Sequence, residues 1–290
     1  MNDLHFLALD GGGTGCRAVL WSVDGRECGR ANGGAANLTS DFQAARDNIL
    51  STISNAYHAA GIPESAMAQG IAVLGVAGAE FGGNAKDLEA LLGFAKSRVV
   101  SDRETTIAGV LGTDDGTLAQ IGTGSFFVTR CEGETRHAGG WGLVLGDECS
   151  GAWLGRELLR ATLRTYDSLD EGSPLTLSVL SDFDDDPRQI VLFARHAVAA
   201  DFAAYAPRLF AAAAAGDSVA DGIVQSSLRE LEKTLTALEG ESLPPLYLCG
   251  GVGTRYIPLV SHTFRERLET PNGDGLSGAL SLAMALHTDS

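Results

Sequence analysis

The order of apolar and polar positions predicts two strands within the first two dozen residues. Leu4–Leu9 is a mostly apolar run that ends at Asp10 and a cluster of glycines, which is typical of a buried strand. Cys16–Val23 alternates its side chains and is rich in β-branched and aromatic residues, and Asp24-Gly25 after it is a strong tight-turn signal. The glycine loop therefore joins one strand to another strand, as in a hairpin.

The rest of the first half alternates helix and strand patterns. It predicts, in order, a helix over 42–60 that Ser40 or Asp41 caps and Gly61 ends, a buried strand over 70–78, a helix over 86–94, a short strand ending at Asp102 and a helix over about 104–111. This alternation favours a parallel or mixed sheet with helices on both faces.

The pattern then restarts, which indicates a weak internal duplication. Residues 117–136 again give a strand, a glycine-containing turn, a strand, a Glu-Gly turn and a third strand. We therefore expect an N-terminal domain over 1–115 and a second domain over 116–290. The remaining predictions are helices over 146–166, 191–216 with a break at Pro207, 221–240, 257–268 and 275–287, and a strand that runs into a glycine turn over 245–253.

Composition and charge narrow the class of protein. The chain has 290 residues and a formal net charge of −16, which disfavours a nucleic-acid partner because phosphate backbones are bound through an excess of Lys and Arg. The sequence holds no apolar run long enough to span a membrane and no signal-peptide pattern. Its five scattered cysteines, without a C-x-x-C spacing, are typical of reduced thiols in a cytoplasmic protein.

Three interpretations compete for the opening glycine loop. A P-loop requires a lysine and a following helix, and this loop offers neither. Residues 13–18 match the dinucleotide fingerprint G-x-G-x-x-A, but that fingerprint opens a helix, whereas the next segment is β-patterned. The third interpretation is a phosphate-binding hairpin, in which small residues let backbone N–H groups point at a phosphate. A tight turn without any ligand is the alternative to all three.

The phosphate interpretation gains support from two further glycine loops. Thr14 adds a hydroxyl to the first loop, and Asp10 at the strand end can hold Mg²⁺ through water. Ile121–Ser125 offers the same groups in the second hairpin, and Cys249–Gly253 lets backbone lie flat against a nucleobase or ribose.

At this point the sequence resembles a known superfamily. The stretches 9–21, 121–125 and 248–253 look like the first phosphate, second phosphate and adenosine motifs of the sugar kinase, heat-shock chaperone and actin superfamily. The longer stretch Gly139–Glu157 resembles the signature of the N-acetylglucosamine kinases and bacterial glucosamine kinases of the BadF/BadG/BcrA/BcrD-type ATPase family. The resemblance covers both halves of the chain.

The resemblance implies a fold and a function. The expected fold is α/β, with two actin-like (ribonuclease-H-like) domains of mixed sheets flanked by helices, ATP in the cleft between them and hinge closure on substrate. A C-terminal helix over about 275–290 could pack back on the first domain. The expected function is an ATP- and Mg²⁺-dependent kinase that phosphorylates N-acetylglucosamine or glucosamine, at the 6-hydroxyl, and a homodimer is suggested.

The resemblance also carries over individual residues. Asp102, at the end of a strand before a helix, matches the catalytic base, although Arg103 stands where the family usually has a small residue. The residues expected to bind ATP and its phosphates are Asp10, Gly11, Gly12, Gly13, Thr14, Gly122, Thr123, Gly250 and Gly251. Those expected to bind the sugar are Asn37, Asp102, Ser125, Gly140, Trp141, Gly142 and Asp147, with Thr123 also near it.

Several of these residues have a simpler structural interpretation. Asp102 could be only the N-cap of the next helix, Asn37 an ordinary turn residue, and Trp141 a core residue and not a platform for a sugar ring.

Two other functions also remain open. One is an ATPase that activates a partner reductase, although no cysteine lies in a short glycine-flanked motif. The other is a sugar-responsive repressor, which would need an N-terminal DNA-binding helix pair.

Overall fold

The protein is described here by a computed structural model, which covers residues 4–288. Within that range nine strands form two sheets. The strands are β1 His5–Gly11, β2 Cys16–Ser22, β3 Glu27–Gly33, β4 Ile71–Val76, β5 Lys96–Ser101, β6 Gly116–Ile121, β7 Ser125–Cys131, β8 Glu134–Gly139 and β9 Leu246–Cys249.

Twelve α-helices lie within the same described range, together with a 3₁₀ helix at Glu64–Gln69. The helices are α1 Phe42–Ala60, α2 Asn84–Glu89, α3 Asp102–Val110, α4 Gly151–Tyr166, α5 Pro174–Ser181, α6 Pro187–His196, α7 Ala199–Ala203, α8 Ala206–Ala214, α9 Ser218–Glu239, α10 Gly250–Tyr256, α11 His262–Arg265 and α12 Gly275–Thr288. None of the described helices is both long enough and apolar enough to cross a bilayer.

The described chain divides into two units. The first holds the residues within Met1–Asp114 and Pro271–Ser290, and the second holds Asp115–Thr270. The last helix, α12, therefore belongs to the first unit.

The first unit is a five-stranded mixed sheet in the order β3-β2-β1-β4-β5. β1 pairs antiparallel with β2 and parallel with β4, and β4 pairs parallel with β5. Side chains alternate along β1: Leu7 and Leu9 pack with α1 on one face, whereas Phe6 and Ala8 pack with α12 on the other. The carboxyl ends of β1, β4 and β5 lie at one edge, where the candidate catalytic residues are found.

The second unit is a four-stranded mixed sheet in the order β8-β7-β6-β9, in which β6 pairs antiparallel with β7 and parallel with β9. Its buried core is shared by the sheet and the helices, with Ile121 and Phe127 from strands and Leu158 and Leu231 from α4 and α9. Each unit thus opens on a strand hairpin, as the internal duplication predicts.

Several predicted elements are wrong in their bounds. Helix α2 ends at Glu89, and the segment before Tyr166 becomes helical only at Gly151. The region 191–216 is divided among α6, α7 and α8. The predicted break at Pro207 falls at residues 204–205, and Pro207 itself lies in the first turn of α8.

The end of the second unit also differs from the prediction. The glycine turn expected after β9 is the start of α10, which ends at Tyr256 just before Pro258. Between 257 and 268 only the short α11 is helical. Pro258 has no backbone N–H to donate, so it does not sustain a continuous helix there.

Candidate active site

The opening glycine loop is the tip of a hairpin. Asp10 lies opposite Arg17 and Gly11 opposite Cys16 in the β1–β2 ladder, so residues 12–15 form the loop. The Gly12 N–H donates to the Gly15 carbonyl at 2.9 Å and closes it. The hairpin prediction is confirmed. The dinucleotide interpretation is wrong, because the fingerprint at 13–18 leads into a strand and not into a helix.

Small residues in this loop allow neighbouring segments to approach. A Cβ atom on Gly11 would lie 2.9 Å from Cβ of Ala36, which is closer than real Cβ contacts come. The Gly11 carbonyl accepts from the Ala77 N–H at 2.8 Å, and the Gly12 carbonyl accepts from the Ala36 N–H at 2.9 Å. These bonds fix the loop from both sides, while Thr14 is exposed at its tip.

Asp10 sits in a network of charges at the end of β1. Nη2 of Arg17 lies 2.7 Å from Oδ2 of Asp10 and 3.2 Å from Oδ2 of Asp274. The backbone of Gly275, the first residue of α12, lies directly against the Asp10 carboxylate, since a Cβ there would be 2.8 Å from Oδ1. Both ends of the first unit's sequence therefore meet at Asp10.

Asp102 is the first residue of α3 and follows directly on β5. The helix is capped by Ser101, whose hydroxyl accepts from the Arg103 N–H at 3.2 Å. The interpretation of Asp102 as only the N-cap is therefore wrong. Its carbonyl accepts hydrogen bonds from the hydroxyls of Thr105 at 3.1 Å and Thr106 at 2.7 Å, which fix the first turn of the helix.

The surroundings of Asp102 favour its protonated form. Burial is the main cause, followed by the negative charges of Glu80 and Asp10, and together they raise the pKa of Asp102 to about 6 although Arg103 opposes them. Nε of Arg103 lies 3.4 Å from Oε1 of Glu80, so this guanidinium pairs with Glu80 and acts on Asp102 as a nearby positive charge. A carboxylate with a pKa near neutrality suits a general base.

Asn37 does form a turn. Its Oδ1 accepts from the Thr39 N–H at 2.9 Å and from the Thr39 hydroxyl at 2.7 Å. Gly78, with φ of 79°, packs against the same oxygen. Oδ1 of Asn37 is thus used within the protein, and Nδ2 is the group left to donate to a sugar.

The second glycine loop holds the start of α4. The carbonyls of Gly122 and Thr123 accept from the Gly151 and Ala152 N–H groups at 2.9 and 3.1 Å. Ser125 is buried, and its hydroxyl donates to the Glu148 carbonyl at 2.7 Å. Its hydroxyl hydrogen is therefore used within the protein.

The stretch resembling the amino-sugar signature has unusual backbone conformations. Asp147 and Cys149 both have positive φ, 57° and 69°, and both side chains are buried. Tyr256 donates its hydroxyl to the Cys149 carbonyl at 2.9 Å, which anchors this conformation. A Cβ on Gly124 would lie 2.8 Å from the Asp147 carboxylate, so the sugar-signature loop and the second glycine loop are in contact.

Trp141 lies in the same stretch and is 71% exposed. The core interpretation of this residue is therefore wrong. Gly140 and Gly142 on either side of it have φ of 73° and 78°, in the left-handed region that favours glycine. An exposed indole on such a loop is available to a ligand.

The third glycine loop packs on the second. Gly250 has φ of 83°, and a Cβ there would lie 2.3 Å from the Ile121 carbonyl oxygen. Only glycine fits at this position. The structure thus brings Ile121, Gly122 and Gly250 together in the second unit. In the first unit, Asp10 lies near the end of β1, Asn37 in a turn and Asp102 at the start of α3.

Arg17, Glu80 and Asp274 are not among the site residues predicted from the sequence. Arg17 could have been found, because the hairpin register sets it opposite Asp10. Glu80 and Asp274 lie in loops without a pattern, and only the folded chain places them near Asp102 and Arg17.

Solved structures share this fold over nearly the whole chain. The two mixed sheets with flanking helices have the actin-like fold of a class of ATP-using proteins. The chain belongs to the BadF/BadG/BcrA/BcrD ATPase family, whose model matches residues 7–266.

Its relatives include named kinases. The chain is 26% identical over 284 residues to the glucosamine kinase of Vibrio cholerae, covering 96% of this chain and 95% of that protein. It is 34% identical to a candidate N-acetylglucosamine kinase from Chromobacterium violaceum, whose crystal structure it matches with a TM-score of 0.88 over 96% of this chain and 98% of that one. A Streptomyces griseus glucokinase of the ROK family, with glucose and AMPPNP bound, shares the fold at 16% identity, with a TM-score of 0.60 over 97% of this chain and 99% of that one.

Proposed function

We propose that the protein transfers the γ-phosphoryl group of ATP to the 6-hydroxyl of N-acetylglucosamine or glucosamine, with Asp102 as the base. That it is an ATP-dependent amino-sugar kinase follows from its family and from its similarity to named kinases over nearly the whole chain. The observation that carries the further assignment is Asp102 itself. It is a partly buried carboxylate at the carboxyl edge of the sheet, with a raised pKa.

The chemistry follows from the position and charge of Asp102. Its carboxylate accepts the proton of the sugar hydroxyl as that oxygen bonds to the γ-phosphorus. The bond from the γ-phosphorus to the bridging oxygen breaks, and ADP leaves with the electron pair. In such reactions the protein mainly positions the two substrates and neutralises charge, so one base and a phosphate cradle are sufficient.

Asp10 is the residue we assign to Mg²⁺. A carboxylate oxygen at a strand end is the kind of ligand that Mg²⁺ prefers, and Mg²⁺ often keeps its waters between itself and the protein. Arg17 contacts Oδ2 of Asp10 at 2.7 Å, so this oxygen becomes open to a metal-bound water when Arg17 moves aside. When bound, Mg²⁺ would reduce the negative charge on the ATP phosphates.

We assign the phosphates of ATP to the backbone and hydroxyl groups of two loops. In the first unit these are Gly11, Gly12, Gly13 and Thr14, and in the second unit they are Gly122 and Thr123. Gly250 and Gly251 are assigned to the adenosine. The close packing of Gly250 on the Ile121 carbonyl supports a shared role for the two loops of the second unit.

For the sugar we retain the residues carried over from the family. Nδ2 of Asn37, the Asp147 carboxylate and the Trp141 indole are the groups that offer a donor, an acceptor and a ring face. Ser125, Gly140 and Gly142 shape the same loops.

We further propose that the enzyme acts in the cytoplasm as a homodimer. All five cysteines are free thiols, which is compatible with a reducing compartment.

The position of phosphorylation is tested on the product. Proton–phosphorus correlation spectra of the sugar product should connect the phosphorus to the two hydrogens on carbon 6. A 6-deoxy amino sugar should bind without releasing ADP. A phosphorus coupled to the anomeric hydrogen would contradict the assignment to the 6-hydroxyl.

A further inference from the structure

A single guanidinium nitrogen holds two carboxylates of the first unit. Nη2 of Arg17 is 2.7 Å from Asp10 and 3.2 Å from Asp274. The contact to Asp10 is set by the β1–β2 register, whereas Asp274 comes from the other end of the sequence. Because both bonds use the same nitrogen, a small rotation of Arg17 can strengthen one contact at the expense of the other.

Asp274 is fixed independently of Arg17. Its Oδ1 accepts from the Leu276 and Ser277 N–H groups, both at 3.1 Å, so it caps α12. The Ser277 hydroxyl accepts in return from the Asp274 N–H at 2.7 Å. A Cβ on Gly109 of α3 would lie 1.9 Å from the Asp274 carbonyl oxygen, so the segment also packs tightly. The cap uses Oδ1, and Oδ2 is the atom that faces Arg17.

Asp10, in contrast, is a carboxylate that both Arg17 and the proposed Mg²⁺ would contact. Arg17 occupies its Oδ2, and the Gly275 backbone lies against Oδ1. In the proposed function the same carboxylate faces Mg²⁺. A cation near Asp10 and a guanidinium on Asp10 repel each other, which favours a shift of Arg17 away from Asp10.

We propose that Asp274 is a positioning residue. When magnesium-bound nucleotide binds, Arg17 gives up its contact with Asp10 and keeps its contact with Asp274, so that the Asp10 carboxylate becomes available to the metal. This inference rests on the proposed function, because it assumes that Asp10 faces Mg²⁺. It adds a role for α12, the last helix of the chain, in nucleotide binding. Asp274 acts through Arg17 and does not itself touch the metal.

The test compares ADP binding by D274N and by the wild type, measured by calorimetric titration in the absence of sugar, with and without magnesium. Asparagine caps helices about as well as aspartate, so the variant keeps the cap and loses the charge. Magnesium should strengthen ADP binding less in D274N than in the wild type, by about three- to five-fold, the effect expected from one lost half-exposed ion pair. ADP binding in EDTA should be unchanged. D47N, which breaks the exposed Arg46–Asp47 pair on α1, should behave as wild type.

A second variant separates this role from a merely structural one. In an R17M background Asp10 has no guanidinium to release, so adding D274N should change the magnesium effect no further. The inference is overturned if D274N keeps the wild-type magnesium effect, or if the loss is as large in the R17M background. If the wild type binds no ADP even with magnesium, the proposed function itself fails.

Discussion

Thr105 of α3 packs directly on the backbone of Gly75 in β4. A Cβ atom at position 75 would lie 2.0 Å from the Thr105 Oγ1 and 2.8 Å from its Cβ. The helix that begins with Asp102 thus reaches the sheet only because residue 75 has no side chain. This contact sets the distance between α3 and the strand that lies next to β1 and Asp10.

Gly75→Ala should therefore displace α3 and, with it, Asp102, the proposed base. We expect a loss of about 1–3 kcal/mol in the free energy of unfolding, as for other overpacked sites, together with a lower kcat. Denaturant titration and steady-state kinetics measure the two effects. Gly93→Ala is the control, because a Cβ at Gly93 has no described atom within 4 Å. Unchanged kcat in a folded Gly75→Ala protein would show that α3 need not be held there.

Asp102→Asn should remove the base but keep the shape of the site. We expect sugar-dependent ADP release to fall by about 10²- to 10⁴-fold, the usual contribution of a general base. Nucleotide binding by calorimetry and the circular dichroism spectrum should be unchanged. Asp87→Asn, an exposed position in the first turn of α2, serves as the control. Undiminished turnover in Asp102→Asn would refute the assignment of the base.

The same variant should be more stable than the wild type at neutral pH. The pKa of Asp102 is about 6 in the folded chain, above the ordinary 3.8, so the fold favours the protonated carboxyl. That stabilisation is complete below pH 3.8 and is lost as the pH rises through about 6. The Tm of Asp102→Asn should thus exceed that of the wild type by more near pH 7.5 than near pH 4. Equal Tm values at both pH values would mean that the charge is not destabilised.

Glu80 should raise the pKa of Asp102, the proposed base. After burial, its negative charge is the main cause of the raised pKa of Asp102, and its carboxylate holds Arg103. Glu80→Gln should lower the pKa of Asp102, and the acid limb of the kcat/KM profile should move to lower pH. Glu104→Gln is a matched control, because Glu104 lies in the first turn of α3 together with Asp102 but pairs with Arg98. An acid limb at the wild-type pH in Glu80→Gln would contradict this role.

Much of the frame was predictable from local sequence. The turn at Asp24-Gly25 and the alternation in β2 predicted the hairpin, and the hairpin excluded the dinucleotide fingerprint. The apolar run before Asp102 predicted that it would follow a strand. These predictions were successful because each depends on a short stretch of chain with a single periodicity.

The remainder depends on contacts between distant segments. Nothing local to Asp274 indicates that it meets Arg17, and nothing local to Gly75 indicates that Thr105 lies above it. Trp141 is exposed on a loop whose flanking glycines have positive φ, and apolar periodicity does not reveal such a loop. The start of α10 at Gly250 was not predicted, because its segment contains three glycines and glycines usually indicate a turn.

The central claim is most directly tested by ADP release from the purified wild-type protein with ATP and Mg²⁺, across hexoses that differ at carbon 2. Glucosamine, N-acetylglucosamine, mannose and glucose form the panel, and a reaction without sugar is the baseline. We predict release well above the baseline with glucosamine or N-acetylglucosamine, and little with glucose or mannose. ADP release that no amino sugar raises above the sugar-free rate would contradict the account.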